Sequence, residues 1–379
     1  GDVYKRQGYN FSLNLNSEEF TLSKTFGPSA EKEYKARPNY SLEYSDVFMK
    51  QRLGVVGSFS HVDSYTEQYR HNMTYDRNPT TADPRPMVIT TLNFKDGNKN
   101  IAKDTYTLTA DFKATPRLVL SNTVIYNYAL GQFYNREVNF IAANANSNAA
   151  TGRSNVVGDG VVSVSSNGLA ANTARSQTLG GTNASKRTIT FTMVPKFEYK
   201  VGAWTVDGAG AYTRSFNNYE ALEKGHVRDA LTNGISGDFI ATRPNVNSYQ
   251  WTVQQTSGAD WFTLANRTNP RVSNEGRYAF TENYTGQLNA KWILPFRQFP
   301  TAVKFGGKWN EESRKNGNET SYYTWSYIGP GGNVLNPATG AITTTGTWAA
   351  YPNRNFWSTG TTNILTVKDI TGTVRPPVS

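Results

Sequence analysis

There is no cysteine among the 379 residues. A disulfide scaffold and a thiolate metal site are both excluded. The three histidines, His61, His71 and His226, lie in different segments, and no His-x-x-x-His or His-Glu-x-x-His spacing occurs. No metal site and no cofactor are expected. No apolar run reaches the roughly 18 residues that a transmembrane helix needs. Mean hydropathy is low, at −0.58. The formal charge is +10, yet the cations are dispersed and form no dense Lys/Arg block. A nucleic-acid groove is therefore not expected. Dispersed charge of this kind suits solvated loops, lipopolysaccharide phosphates or an anionic solute.

Catalytic constellations are missing as well. Glu18–Glu19 and Glu311–Glu312 are adjacent carboxylates, which point to opposite faces of a strand and make no acid/base dyad. GAGAY (208–212) reads as a strand of small residues and not as a phosphate loop. Ser60 and His61 are neighbours on opposite faces, which disfavours a phospholipase-type pair. The chain reads as something other than an enzyme.

What the chain has is period two and aromatic residues. In GYNFSLNLN (8–16), Tyr9, Phe11, Leu13 and Leu15 alternate with Asn10, Ser12, Asn14 and Asn16. This is a strand with one apolar and one polar face. A soluble sandwich would bury the apolar face against a second sheet. A membrane barrel would turn it to lipid and leave the asparagines in a wet lumen.

Hairpins of the same kind recur along the chain. Tyr40, Leu42 and Tyr44 precede a break near VFMKQ, and Leu53, Val55 and Phe59 follow it. Tyr106, Leu108 and Phe112 lead through KATPR to Leu118, Leu120, Val124 and Tyr126. Ile189, Phe191, Met193, Phe197 and Tyr199 turn at KVGA into Trp204, Val206 and Tyr212. Tyr278, Phe280, Tyr284, Leu288 and Trp292 lead through LPFRQFP to Val303, Phe305 and Trp309.

Links within hairpins are short, near 46–51, 113–117, 200–203 and 294–300. Links between hairpins are long, about 76–104, 136–186 and 218–275. Structureless loops beyond about 15 residues are uncommon in a compact domain. Here they fall on alternate connections, which share one rim of an antiparallel meander. Short turns on one rim and long loops on the other mark an outer-membrane barrel. The expected fold is therefore all-β: about 9–11 strands of a larger antiparallel transmembrane barrel with long extracellular loops. Short helical pieces are expected at 217–231 and 260–268, and a strand near NILTVKDI.

Tyr9, Tyr65, Tyr126, Trp204, Tyr212, Tyr284 and Trp292 lie near strand ends, where amphipathic rings favour the lipid–water interface. Ordinary cross-strand aromatic packing is the alternative. In SYYTWSYIGPGG (321–332), Tyr322, Tyr323, Trp325 and Tyr327 form an aromatic cluster suited to stacking on sugars or planar chelates. An upper girdle would place them similarly. The first seven residues, GDVYKRQ, fit no strand pattern and resemble translated sequencing-adapter DNA. Residues 1–7 are read as a non-native leader and 8–379 as a partial barrel domain.

Three segments carry a resemblance: YSLEYSDVFMKQRLGVVGSFSHVDSYTEQYR, YTLTADFKATPRLVLSNTVIYN and NYTGQLNAKWILPFRQFPTAVKFGGKWNEESRKN. Their strand–turn–strand style resembles the TonB-dependent outer-membrane receptors over about residues 8–315. The resemblance implies part of a 22-stranded wall closed by a plug, set among outer-membrane lipid and lipopolysaccharide. It also implies uptake of a siderophore, cobalamin or glycan, driven by the TonB complex through the plug. Neither a plug nor a TonB-contacting segment is present in this sequence. A passive porin would need a constriction loop with facing acidic and basic clusters. A secreted carbohydrate-binding sandwich would need two packing sheets and short loops on both rims.

Overall fold

The computed structural model describes residues 6–15, 22–26, 32–142, 153, 156–166, 177–231, 233–274, 276–295, 299, 301–318, 323–350 and 365–375. Nine long strands carry the architecture: β1 (Arg6–Asn14), β2 (Arg37–Phe48), β3 (Leu53–Asp76), β4 (Val88–Thr115), β5 (Leu118–Ile141), β6 (Gln177–Val201), β7 (Trp204–Tyr219), β8 (Arg277–Ile293) and β9 (Ala302–Asn318). They form one sheet in sequence order, each antiparallel to the next. The protein is all-β. The sheet does not close, and among the described residues the outer edges of β1 and β9 carry no neighbouring strand. β1 begins at Arg6, which pairs with Ser45, so its first two residues fall inside GDVYKRQ.

The expected alternation of links is present. Residues 49–52, 116–117, 202–203 and 294–301 make the short connections on one rim. Arg52 ties two of these turns together by donating to the Lys113 and Ala114 carbonyls at 3.1 and 2.7 Å. Two long links are shorter than the sequence implied. The 76–104 link is only 77–87, because β4 starts at Val88, and the 136–186 link is 142–176. Above the apolar stretch both faces of these strands carry polar residues. The period-two signal fades there although the hydrogen-bonded ladder continues.

One face of the sheet changes character along its height. Near the short turns it is apolar and bare: Leu108, Leu288 and Trp309 are 51, 54 and 56% exposed. Higher up it becomes a polar belt, with His61 and Asp63 on β3, Asn98, Asn100 and Asp104 on β4, Gln132 and Arg136 on β5, and Asn183, Ser185 and Arg187 on β6. Higher still it is apolar again and covered, with Leu92 and Phe94 at 1% exposure beside Val138, Phe140 and Leu179.

The cover is a cap built from the long links and from the segment that follows β9. Its five-stranded sheet runs in the order Leu365–Lys368, Trp251–Gln255, Phe239–Thr242, Ser163–Ser166 and Val156–Val157. The strand expected near NILTVKDI is the first of these, and it lies parallel to Trp251–Gln255. Phe239, Trp251, Val253 and Trp261 complete the core against the wall. Phe140 meets Trp261 and Phe239 at ring-centroid distances of 5.3 and 5.7 Å. A smaller three-stranded sheet joins Asp229–Leu231, Arg271–Ser273 and Thr324–Ser326. The two expected helical pieces are single 3₁₀ turns, Leu222–Lys224 and Leu264–Asn266. No helix among the described residues is long and apolar enough to cross a membrane.

Candidate functional site

The opposite face of the sheet is polar along its length. Hydroxyls and amides pair across neighbouring strands: Thr105 to Asn127 at 2.8 Å, Thr109 with Thr123 at 3.1 Å, Thr190 with Ser215 at 3.0 Å, Thr285 to Asn310 at 2.7 Å. Asn289 donates to Asp207 at 2.7 Å. Cross-strand pairs of this type stabilise a sheet face modestly, by about 0.2–1 kcal/mol each. On this sheet they make a polar surface with acceptors and donors in rows.

The expected aromatic girdle divides into levels. Trp204 and Trp292 stack at 5.3 Å with an interplanar angle of 2°, next to the short turns. Phe305 meets Trp204 edge-on at 6.3 Å. Tyr212 and Tyr284 pair at 5.0 Å higher on the same two strands, and the Tyr212 hydroxyl donates to Glu282 at 3.1 Å. Tyr126 continues a row of rings through Tyr106 and Phe59. Tyr9 lies in that row on the edge strand, opposite Leu42. Tyr65 stands apart. It is buried in the polar belt with the Lys35 ammonium 5.1 Å above its ring.

Of the loop aromatics, Tyr322 lies outside the described residues. Tyr323 and Trp325 are exposed and lie 5.8 Å apart, and Trp325 opposes Val272 in the small sheet. Tyr327 is directed elsewhere. Its ring fills the space beside Gly329 and Gly332, where any Cβ would collide with it, so it shapes the loop instead of joining the exposed pair. Of the three described, the structure therefore brings together two.

The histidines serve separate local roles. His61 Nδ1 is 2.7 Å from Asp104 Oδ1, with Tyr40 stacked on the ring at 4.9 Å, at the top of the bare band. His71 packs between Phe94 and Tyr249, and burial lowers its pKa, with Arg243 adding to the effect. His226 meets Ser185 at 3.3 Å. Among the described residues no three His, Asp or Glu side chains converge on a metal position.

Two constellations could not be read from sequence. The first is an arginine clamp in the cap. Arg85 grips Asp83 with two bonds of 2.7 and 2.6 Å and donates to the Val156 and Gly158 carbonyls at 2.7 and 2.8 Å. The buried Arg153 donates to the Arg85 carbonyl and pairs with Asp76 and Asp83 at 3.3 Å each. These bonds hold the 77–87 link against the 153–162 segment. The Arg85 hydrogen bonds draw the Asp83 carboxyl down to about 2. A carboxyl lowered on folding stabilises the fold above its unfolded pKa, near 4, and loses that contribution as pH falls toward 2. The 77–87 link is expected to become protease-sensitive between about pH 4 and pH 2, and Asp83→Asn to abolish that dependence. Cleavage kinetics with an acid protease, followed by mass spectrometry, give the test. An Asp83→Asn chain with an unchanged acid transition would refute the assignment.

The second constellation is a cavity of about 440 Å³ on the polar face. Its lining includes Lys186, Arg277 and Arg314 together with Asn217, Asn316 and Ala279. Lys186, Tyr219 and Arg277 occupy one row across β6, β7 and β8, while Asn217, Ala279 and Asn316 occupy the next row on that face. Ala279 is the small residue that leaves the space open. Nothing in the sequence places these cations together, because β6 and β9 are linked only through the pairing register.

Fold and surfaces define an all-β protein with a nine-stranded antiparallel meander, one bare apolar face and a loop-built cap. No protein-family model matches the chain, and no curated protein matches it.

Proposed function

We propose that the sheet is part of the wall of an outer-membrane β-barrel, and that the protein is an uptake receptor of the TonB-dependent type. One observation carries the reading: the apolar face is the exposed one. On β2 the bulky residues Pro38, Tyr40, Leu42, Tyr44 and Phe48 are exposed, while Asn39, Ser41 and Ser45 between them are half-buried. A sheet in water reverses that order. The same chain covers the upper part of this face with a cap, so its bare band calls for another apolar solvent.

The band has the proportions of a bilayer core. On β8 it runs from Tyr284 to Trp292. Nine residues at about 3.3 Å each, tilted by about 40°, rise roughly 23 Å, close to the apolar band of outer-membrane barrels. The band also slides across the sheet. Its upper limit is Asp104 on β4 and Glu311 on β9. The row of Asp104 reaches β9 at Lys315, four residues above Glu311, after five strand steps. Four residues of about 3.3 Å over five steps of about 4.8 Å make a slope of roughly 30°, near the strand tilt that barrels require. The cap, with the exposed Tyr323 and Trp325, suits capture of a siderophore, cobalamin or glycan.

Because the chain has no cysteine, single cysteines can be labelled without background. Leu108→Cys and Leu288→Cys, carrying a fluorescent label in vesicles with brominated acyl chains, are expected to be quenched. Thr107→Cys and Gln287→Cys are expected to be protected. Equal quenching at all four positions would remove the membrane reading. Ligand uptake that ceases when the inner-membrane proton gradient collapses separates this receptor from a passive pore.

A further inference from the structure

We infer that the bare face of β6–β9 seats one zwitterionic phospholipid, its acyl chain over Gly210 and Gly286 and its phosphoethanolamine head among Arg214, Glu282 and Glu311. The site rests on the reading of this face as lipid-facing. An open apolar hollow of about 740 Å³ lies there, walled by Pro195 and Phe197 on β6, Leu288 on β8 and Trp309 on β9. That volume falls in the range of about 300–1,000 Å³ that small-ligand sites span. The floor is made by Gly210 on β7, Gly286 on β8 and Gly307 on β9. Gly210 and Gly286 oppose each other and share a row with Trp309.

Glycine weakens a strand interior and calls for a reason. Turn geometry supplies none, since none of these three has a positive φ. A bulge supplies none, since β7, β8 and β9 pair here in unbroken register. Close packing within the chain supplies none either. A Cβ at Gly210 would meet nothing nearer than Pro195 at 3.5 Å, one at Gly286 nothing nearer than Trp309 at 3.9 Å, and one at Gly307 nothing within 4 Å. Gly208 differs, because a Cβ there would strike the Phe197 ring. The remaining reason for glycine inside a strand is the close approach of a group from outside.

The charges above the hollow say which group. Arg214 lies four residues above Gly210 on β7, Glu282 four above Gly286 on β8, and Glu311 two above Trp309 on β9. Glu311 marks the upper limit of the band on β9, and the slope of that limit carries it past Glu282 and Arg214. Arg214 is exposed with its guanidinium 4.9 Å over the Phe280 ring, and Glu282 accepts the Tyr212 hydroxyl at 3.1 Å. Lys315, opposite Phe280, adds a second cation just above. Arg214 and Glu282 oppose each other across one strand spacing of about 4.8 Å. A phosphate with an ammonium joined to it matches such a pair: a guanidinium fork for the phosphate and carboxylates for the ammonium. The two carboxylates disfavour a headgroup of anionic charge alone. A second copy seated in the hollow would bury these charges at the contact, whereas a lipid leaves them in the wet headgroup layer.

The test folds the whole chain into vesicles of equal phosphatidylethanolamine and phosphatidylglycerol with matched acyl chains. The chain is then extracted in mild neutral detergent, and retained lipid is counted by native mass spectrometry. We expect one phosphatidylethanolamine per chain, preferred over phosphatidylglycerol by about tenfold or more. Gly286→Leu, which fills the floor, should lower retention by about tenfold. Arg214→Gln should lower it as well. Gly57→Leu, which fills a smaller hollow of about 320 Å³ beside Tyr44 and Phe59 on the same face, should leave it unchanged. Circular dichroism confirms that each variant keeps its β signature. Unchanged retention in Gly286→Leu would overturn the site. Equal loss in Gly286→Leu and Gly57→Leu would mean unselective boundary lipid and would overturn it too, as would equal retention of the two headgroups. If the parent chain retains no lipid although labelled Leu108→Cys is quenched by brominated lipid, the site falls and the membrane reading stands. If Leu108→Cys is not quenched, the two fall together.

Discussion

Leu108→Arg is expected to destabilise the chain in lipid vesicles by about 2–4 kcal/mol, whereas Thr107→Arg, one residue away, is expected to cost under about 1 kcal/mol. Leu108 lies on the bare face between Val124 of β5 and Gly57 of β3, well inside the band. An arginine there must bring its guanidinium into hydrocarbon or bend the surrounding lipid. Thr107 projects to the polar face beside Ser58 and Ile125, where a charge meets water. In a soluble sheet the expectation reverses, since arginine at an exposed leucine is nearly neutral, within about 0.5 kcal/mol. Denaturant unfolding in vesicles, followed by tryptophan fluorescence, separates the two cases. A Leu108→Arg midpoint equal to that of Thr107→Arg would place the band in water.

The second large effect belongs to the cap. Trp261 is fully buried between Phe140 of the wall and Phe239 of the five-stranded sheet, at 5.3 and 6.1 Å. Its backbone carbonyl also accepts a 2.8 Å hydrogen bond from the buried Arg267. Burial pushes the Arg267 guanidinium down to about 9, with Asp260 opposing the shift. Trp261→Ala removes the central ring of the cluster, and large-to-small changes of this kind cost about 3–5 kcal/mol. The loss should stay local, because the wall strands are held by their own ladders. Limited proteolysis is expected to cut within 220–276 in the variant and not in the parent, with the β-sheet circular dichroism retained. Complete unfolding of the sheet would show that cap and wall form one cooperative unit, and no new cleavage would show that the cluster does not anchor the cap.

Legibility from sequence followed the polarity of the two faces. Where one face is apolar and the other polar, as along Leu118–Tyr128 or Ile189–Tyr199, side chains alternate, and both strand and facing can be read. Where both faces are polar, as along Asn93–Asp104, the ladder leaves no periodic trace and the strand passed for loop. The cap was harder still. Phe239–Thr242 is only four residues long, and its sheet joins segments as distant as Trp251–Gln255 and Leu365–Lys368. The burial of Trp261 within the stretch read as a helical piece was hidden because its ring partners are Phe140 on β5 and Phe239, far back in the same link. Tyr323 and Trp325 were found from composition alone, but the inward turn of Tyr327 depends on the glycines that receive it. The cation cavity required the register, since Lys186 and Arg314 are brought together by three successive strand pairings.

On the proposed membrane reading, the polar belt between cap and band is a waterline. On β4 one continuous face passes from Phe94 beneath the cap, through Asn98, Asn100 and Asp104, to Tyr106 and Leu108 in the open. Protein covers the face above that line, and below it none of the described residues does. Sinking the wall would drag asparagines and arginines into hydrocarbon, and raising it would lift leucines and tryptophans into water. On the proposed membrane reading, the depth at which the wall rides is thus written into a few residues of the ladder, with the cap as its collar.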